Sequence, residues 1–154
     1  MATYRDLEVW RLGMDLVCEV YAITSRLPGD ERFGLISQLQ RAAVSVPANI
    51  AEGHARDSTK EFIRFISIAK GSVAEIETLL ELVFRLNFLG RDELREAWSR
   101  TAQVGRMLTG LKHKLQGKAA AEKQPSREVN TSPSLQSPAS QNLPTQITSP
   151  KETT

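Results

Sequence analysis

Glu75, Glu77 and Glu81 are closely spaced carboxylates, a residue type that can hold a divalent cation. On a helix, however, Glu75 points about 160° away from Glu77. No Glu-x-x-His motif stands near them to complete a di-iron bundle. They read as solvated surface carboxylates. His54 and His113 are far apart and neither has a histidine partner at helical spacing. Cys18 is the only cysteine, so the chain can form neither an intramolecular disulfide nor a thiolate zinc site. Ser45 has no evident base and no Gly-x-Ser-x-Gly elbow surrounds it. Gly29-Asp30-Glu31-Arg32-Phe33-Gly34 lacks the spacing of a dinucleotide fingerprint, and there is no P-loop. The residues compose no catalytic constellation. The expectation is a protein that is not an enzyme and uses no cofactor and no metal.

The remaining candidates for function are basic: Arg41, His54, Arg56, Lys60 and Arg64. Lys60 and Arg64 are one helical turn apart and point away from Phe62, Ile66 and Ala69, with Arg56 in the turn before them. A short ladder of cations can track phosphates. The sequence places no aromatic residue on that polar face to stack bases. The competing reading is an ordinary solvated face. Asn49 and Glu52 read as structural. Glu52 can pair with Arg56 across one turn, and Asn49 can satisfy a carbonyl freed by Pro47 or bond across a bundle.

The elements that must position these residues follow from apolar spacing. Leu39, Ala42, Ala43, Val46 and Ile50 recur on one face of a second helix. Pro47 cannot donate to the Ala43 carbonyl, so that helix should kink there, or break and restart. Gly53 can take the left-handed conformation that ends a helix. Ser58-Thr59-Lys60-Glu61 is a capping box for the next one. A first helix is expected from about Asp6 to Arg26, a third from Ser58 to about Asn87, and a fourth from about Asp92 to beyond Leu115. Short connections between four such helices predict an all-α, antiparallel up-and-down four-helix bundle.

Helix one carries apolar residues over an arc of roughly 200°, wider than one core requires. Helix three carries an additional apolar flank. A second buried face against another subunit would use this surface. Its candidates are Val9, Leu12, Leu16 and Val20, with Ile68, Leu79 and Leu82. A thick core with irregular packing is the alternative.

Residues 1–117 are read as the bundle and residues 118–154 as a disordered Ser/Thr/Pro/Gln-rich tail. Prolines 125, 133, 138, 144 and 150 fall in that tail, which has few large apolar residues to offset its ordering entropy. The chain has 20 Lys and Arg against 18 Asp and Glu. Strong nucleic-acid binders usually carry a larger surplus, so such a role needs basic residues gathered on one surface. No signal-peptide core opens the sequence, and no apolar run could span a membrane. A cytoplasmic protein with no membrane partner is expected.

Arg41-Ala42-Ala43-Val44-Ser45-Val46-Pro47-Ala48-Asn49-Ile50-Ala51-Glu52-Gly53, followed by Arg56, Ser58 and Phe62, resembles a known family. It is the four-helix-bundle family of proteins encoded in intervening sequences of bacterial 23S ribosomal RNA. The accessory variability determinant proteins of diversity-generating retroelements resemble the same family. Asp6-Leu7-Glu8-Val9-Trp10, Gly34-Leu35 with Gln38-Leu39, and Ile68-Ala69-Lys70-Gly71-Ser72 with Glu75 also fit its pattern. The resemblance runs from about Tyr4 to the region of Leu115. It implies a cytoplasmic bacterial protein, a homo-oligomer (a pentamer in the known form), and association with RNA or RNA–DNA in some members. A reverse transcriptase becomes an implied partner where a retroelement lies alongside. The sequence thus points to a non-enzymatic oligomeric accessory protein associated with structured RNA. The alternative is a protein–protein assembly scaffold without nucleic-acid contact.

Overall fold

The computed structural model describes residues 3–123. Four helices follow one another: α1 (Glu8–Thr24), α2 (Leu35–His54), α3 (Thr59–Arg85) and α4 (Arg91–Glu122). Short 3-10 turns, Tyr4–Asp6 and Gly29–Phe33, precede α1 and α2. The helices form the antiparallel up-and-down bundle that the apolar spacing predicts. The seam between α2 and α3 is the most extensive and that between α1 and α4 the slightest. Among the described residues no strand occurs, and no helix is long and apolar enough to cross a membrane.

The helix ends have local causes. Ser58 Oγ accepts from the Glu61 backbone N–H at 3.1 Å and starts α3. The Gly90 N–H donates to Glu93 Oε2 at 2.6 Å and starts α4. Glu93 also pairs with Arg26, which ties the end of α1 to the start of α4. α3 ends on Asn87, at φ 57°. There the N–H of Phe88 donates to the Val83 carbonyl and that of Asn87 to the Phe84 carbonyl. This is the Schellman arrangement, with asparagine in the left-handed position.

One expectation for the second helix narrows and one changes. α2 runs through Pro47 without breaking. No glycine among the described residues has a positive φ, and Gly53 lies inside α2 rather than capping it in a left-handed conformation. Gly53 is there for space: a Cβ on it would lie 2.7 Å from Phe65 Cβ and 2.8 Å from Phe62 Cδ2. Two helices joined by the short turn from Ala55 to Ser58 must approach closely at their joined ends, and only a glycine admits the α3 backbone there.

The core also revises the interface candidates. Val9, Leu16, Val20 and Leu79 are buried in the subunit's own core and have no surface to offer a partner. The wide arc of α1 is used from two sides, by α2 and by α4. Leu12 is half-buried and packs against the same core. Ile68 and Leu82 do stand outside it, at 42% and 40% exposure. The fourth helix continues to Glu122, past the boundary expected at residue 117. The tail beyond Lys123, expected to be disordered, lies outside the described residues.

Candidate nucleic-acid interface

The end of the bundle formed by the α2–α3 turn gathers three of the five predicted cations. Arg56 follows the last turn of α2 and pairs with Glu52, as the i, i+4 spacing foretells. Its guanidinium lies 4.9 Å from the centroid of the Phe65 ring. The Arg64 guanidinium lies 5.9 Å from the same ring. One aromatic ring thus carries two cations, from the end of α2 and from the second turn of α3. Lys60, one turn before Arg64, is exposed. Phe65 lies beneath this face, not on it. The ring is 9% exposed, so it positions guanidinium groups and cannot stack a base.

The other two do not join this group. His54 is half-buried and meets Phe62 edge-on, with ring centroids 5.8 Å apart. It closes the apolar end of the α2–α3 seam. Arg41 lies on the outer side of α2, roughly 20 Å from Arg56 along the axis at the ~1.5 Å rise per residue of a helix. It lines a shallow groove with Tyr21, Ser37, Gln40, Val44 and Ser45.

The signature residues around Pro47 are structural. Asn49 Nδ2 donates to the Ser45 carbonyl at 2.8 Å and to Ser45 Oγ at 2.9 Å. The carbonyl it satisfies is therefore that of Ser45, not the Ala43 group freed by proline. Ser72 Oγ of α3 in turn donates to Ser45 Oγ at 2.8 Å. The chain Asn49–Ser45–Ser72 supplies a polar register mark in an otherwise apolar seam. Pro47 is buried and its ring faces α1: a Cβ on Gly13 would rest 3.6 Å from Pro47 Cβ, at ordinary contact.

On the opposite side of the bundle, Arg100 Nε donates to Glu19 Oε1 at 2.5 Å, with Asp15 3.7 Å from the same guanidinium. The hydrogen bond to Glu19 holds Arg100 in its charged form, above its ordinary range. It joins α4 to α1 where the apolar contact is slightest.

The basic residues that the sequence reading passed over are on α4. Lys112, Lys114, Lys118 and Lys123 share the end of that helix with a single carboxylate, Glu122. Lys118 and Lys123 line a groove with Lys60, Ser58 and Thr59. The run was visible as a composition change, but a boundary drawn after Gly117 cuts it in two. No group of three or more His, Cys, Asp or Glu among the described residues is placed to hold a metal ion.

The fold is an antiparallel four-helix bundle with lysines and arginines gathered at one end. The chain belongs to the family described as 23S rRNA-intervening sequence protein, whose model matches residues 5–110. Its fold is similar to that of a crystal structure from Bacteroides thetaiotaomicron, a protein of unknown function from the S23 ribosomal protein family. The two share 22% identity with a TM-score of 0.64, over 68% of this chain and 97% of the other. None of the curated proteins compared with the chain matches it.

Proposed function

We propose that this protein is a non-enzymatic accessory protein that assembles as a closed homo-oligomer and associates with structured RNA. The observation that carries the reading is the placement of Arg56 and Arg64 over one Phe65 ring, one turn from the exposed Lys60. The ring restrains two long side chains, so less conformational entropy is lost when a phosphate arrives. Membership of a family named for an intervening sequence of 23S rRNA supports RNA as the polyanion. A single subunit with so small a charge surplus attracts RNA weakly. A ring of subunits repeats the cluster, and linked weak contacts raise apparent affinity when several engage together. Where a retroelement reverse transcriptase is encoded alongside, the assembly would present template RNA to that enzyme.

The test is binding to long structured RNA as a function of salt. Replacing Arg56, Lys60 and Arg64 together with Gln should flatten the salt dependence without changing helix content or assembly. The matched replacement of Arg91, Arg95 and Arg106 should leave it unchanged. No binding by the wild-type chain at low salt would refute the reading.

A second reading, a scaffold for protein partners, is favoured by one observation. Arg56 is already neutralised by Glu52, while apolar side chains stand exposed on the outer side of α3. In that case both triple variants behave as wild type toward RNA, and any partner is a protein.

A further inference from the structure

We propose that the end of α4, from Lys112 to Lys123, is a second phosphate-binding face that engages the backbone of double-helical RNA. The proposal rests on the RNA reading above and adds to it a separate set of residues. The last buried residue of α4 is Leu108, yet the helix continues about four turns further. From Gln116 to Lys123 every residue except the half-buried Ala119 is exposed. Ala119-Ala120-Ala121 sustains the helix by propensity, not by packing. The segment has little structural duty, and its side chains are overwhelmingly of one sign.

Its one carboxylate is engaged twice. Glu122 accepts from Thr59 Oγ1 at 3.2 Å and lies 3.8 Å from Lys118 Nζ. Lys112, Lys114 and Lys123 have no ion-pair partner among the described residues. In the first half of α4, Arg95 pairs with Asp92 and Arg100 with Glu19 and Asp15, while Arg91 lies over the Phe84 ring. The surplus positive charge of the bundle is therefore concentrated at the end that also bears Lys60, Arg56 and Arg64. Acidic neighbours at that end are Asp57 and Glu61, with Glu52 paired to Arg56 and Glu8 lining a groove with Lys114, all exposed.

The spacing selects the form of RNA. At about 100° per residue, Lys114 and Lys118 fall on one flank of the helix and Lys112 and Lys123 on the opposite flank. A helix end with cations on both flanks suits two rows of phosphates, as across the wide, shallow minor groove of an A-form duplex. The segment holds no Phe, Tyr or Trp and His113 is its single ring, so it offers no platform for successive unpaired bases.

The experiment uses the full chain, a labelled blunt RNA duplex of about two helical turns, and an oligo-U strand of the same length. Binding is followed by fluorescence anisotropy over a range of KCl concentrations. The variant Lys112→Gln/Lys114→Gln/Lys118→Gln/Lys123→Gln should bind the duplex at least tenfold more weakly at low salt. Its log–log salt slope should shrink by about three to four, close to one per lysine. Helix content and assembly should be unchanged. If they are not, Lys118→Gln/Lys123→Gln alone should still remove about two from the slope. A wild-type slope in both variants, with flattening only on replacing Arg56, Lys60 and Arg64, overturns this inference and leaves the RNA reading standing. No duplex binding by the wild type at low salt overturns both. Preference for oligo-U over the duplex, or binding to phosphatidylserine/phosphatidylcholine vesicles in place of the duplex, also overturns it.

Discussion

Gly53 of α2 and Phe65 of α3 approach so closely that a Cβ on the glycine would sit 2.7 Å from Phe65 Cβ. Both atoms are fixed to backbone, so neither can swing away. The same contact supports the ring that carries Arg56 and Arg64. Packing at the base of the α2–α3 seam and the placement of the cations are thus one arrangement.

Gly53→Ala should therefore destabilise the protein although alanine is the better helix former. The gain in propensity is about 1 kcal/mol. Overpacking a tight contact costs typically ~1–3 kcal/mol, and here backbone must move to relieve it. A lowered urea midpoint is expected, measured at fixed protomer concentration because assembly and stability are linked. An unchanged or higher midpoint would show that the two helices part freely. RNA affinity should fall as well, since the Phe65 ring moves with the α3 backbone.

Arg100→Met should cost more than the loss of an ordinary surface ion pair. Glu19 Oε2 is already buried without a partner, and the substitution strips Oε1 of its donor too. Leaving a half-buried carboxylate unsatisfied costs about 1–3 kcal/mol. Arg95→Met, whose Asp92 partner is exposed, should change the thermal midpoint little. Equal effects of the two substitutions would argue against any special role for the α1–α4 bridge.

The bundle itself was legible because apolar spacing reports which face of a helix is covered. The stripe Leu39, Ala42, Ala43, Val46 and Ile50 is fully inside. Spacing does not report how many neighbours cover a face. Val9, Leu16 and Val20 looked surplus to one core, but α1 is covered from both sides within the subunit. The Glu52–Arg56 pair was legible as an i, i+4 relation. The stacking of Arg56 and Arg64 on Phe65 was not, since it joins residues across a turn whose direction the sequence does not specify. Gly53 was recognised as special but for the wrong reason: glycine serves turns and close approaches alike, and only the packing tells which.

Asn87→Ala should destabilise the α3–α4 connection by about 1 kcal/mol, the cost of holding a residue with a Cβ in the left-handed region. Asn87→Gly should be neutral or slightly stabilising, because glycine adopts φ 57° without strain. Thermal melts of the two variants give the order directly. Alanine melting as high as glycine would mean that the cap does not hold this turn.

The last prediction concerns assembly, and it uses the apolar residues that the core leaves out. Ile68, Leu82 and Leu86 are exposed and fall within about 40° of one another on α3, on its flank toward α2. Ser45 and Ser72 touch across that seam, so Val44, also exposed, and Ile68 border the same outer strip. Tyr21 of α1 and Val44 line one groove, which extends the strip across α2. Burying such a strip between identical subunits would stabilise an oligomer by the apolar area removed from water. Ile68→Glu/Leu82→Glu should therefore shift sedimentation to smaller species while helix content persists, because neither side chain belongs to the core. Leu16→Glu is the contrasting case: it places a charge in the fully buried centre and should unfold the subunit rather than release it. A wild-type chain that sediments as a monomer at micromolar concentration, or a double variant that assembles as wild type does, would remove α3's outer strip as an interface. The multivalent route to RNA binding would then fail with it, and any affinity would have to come from a single basic end.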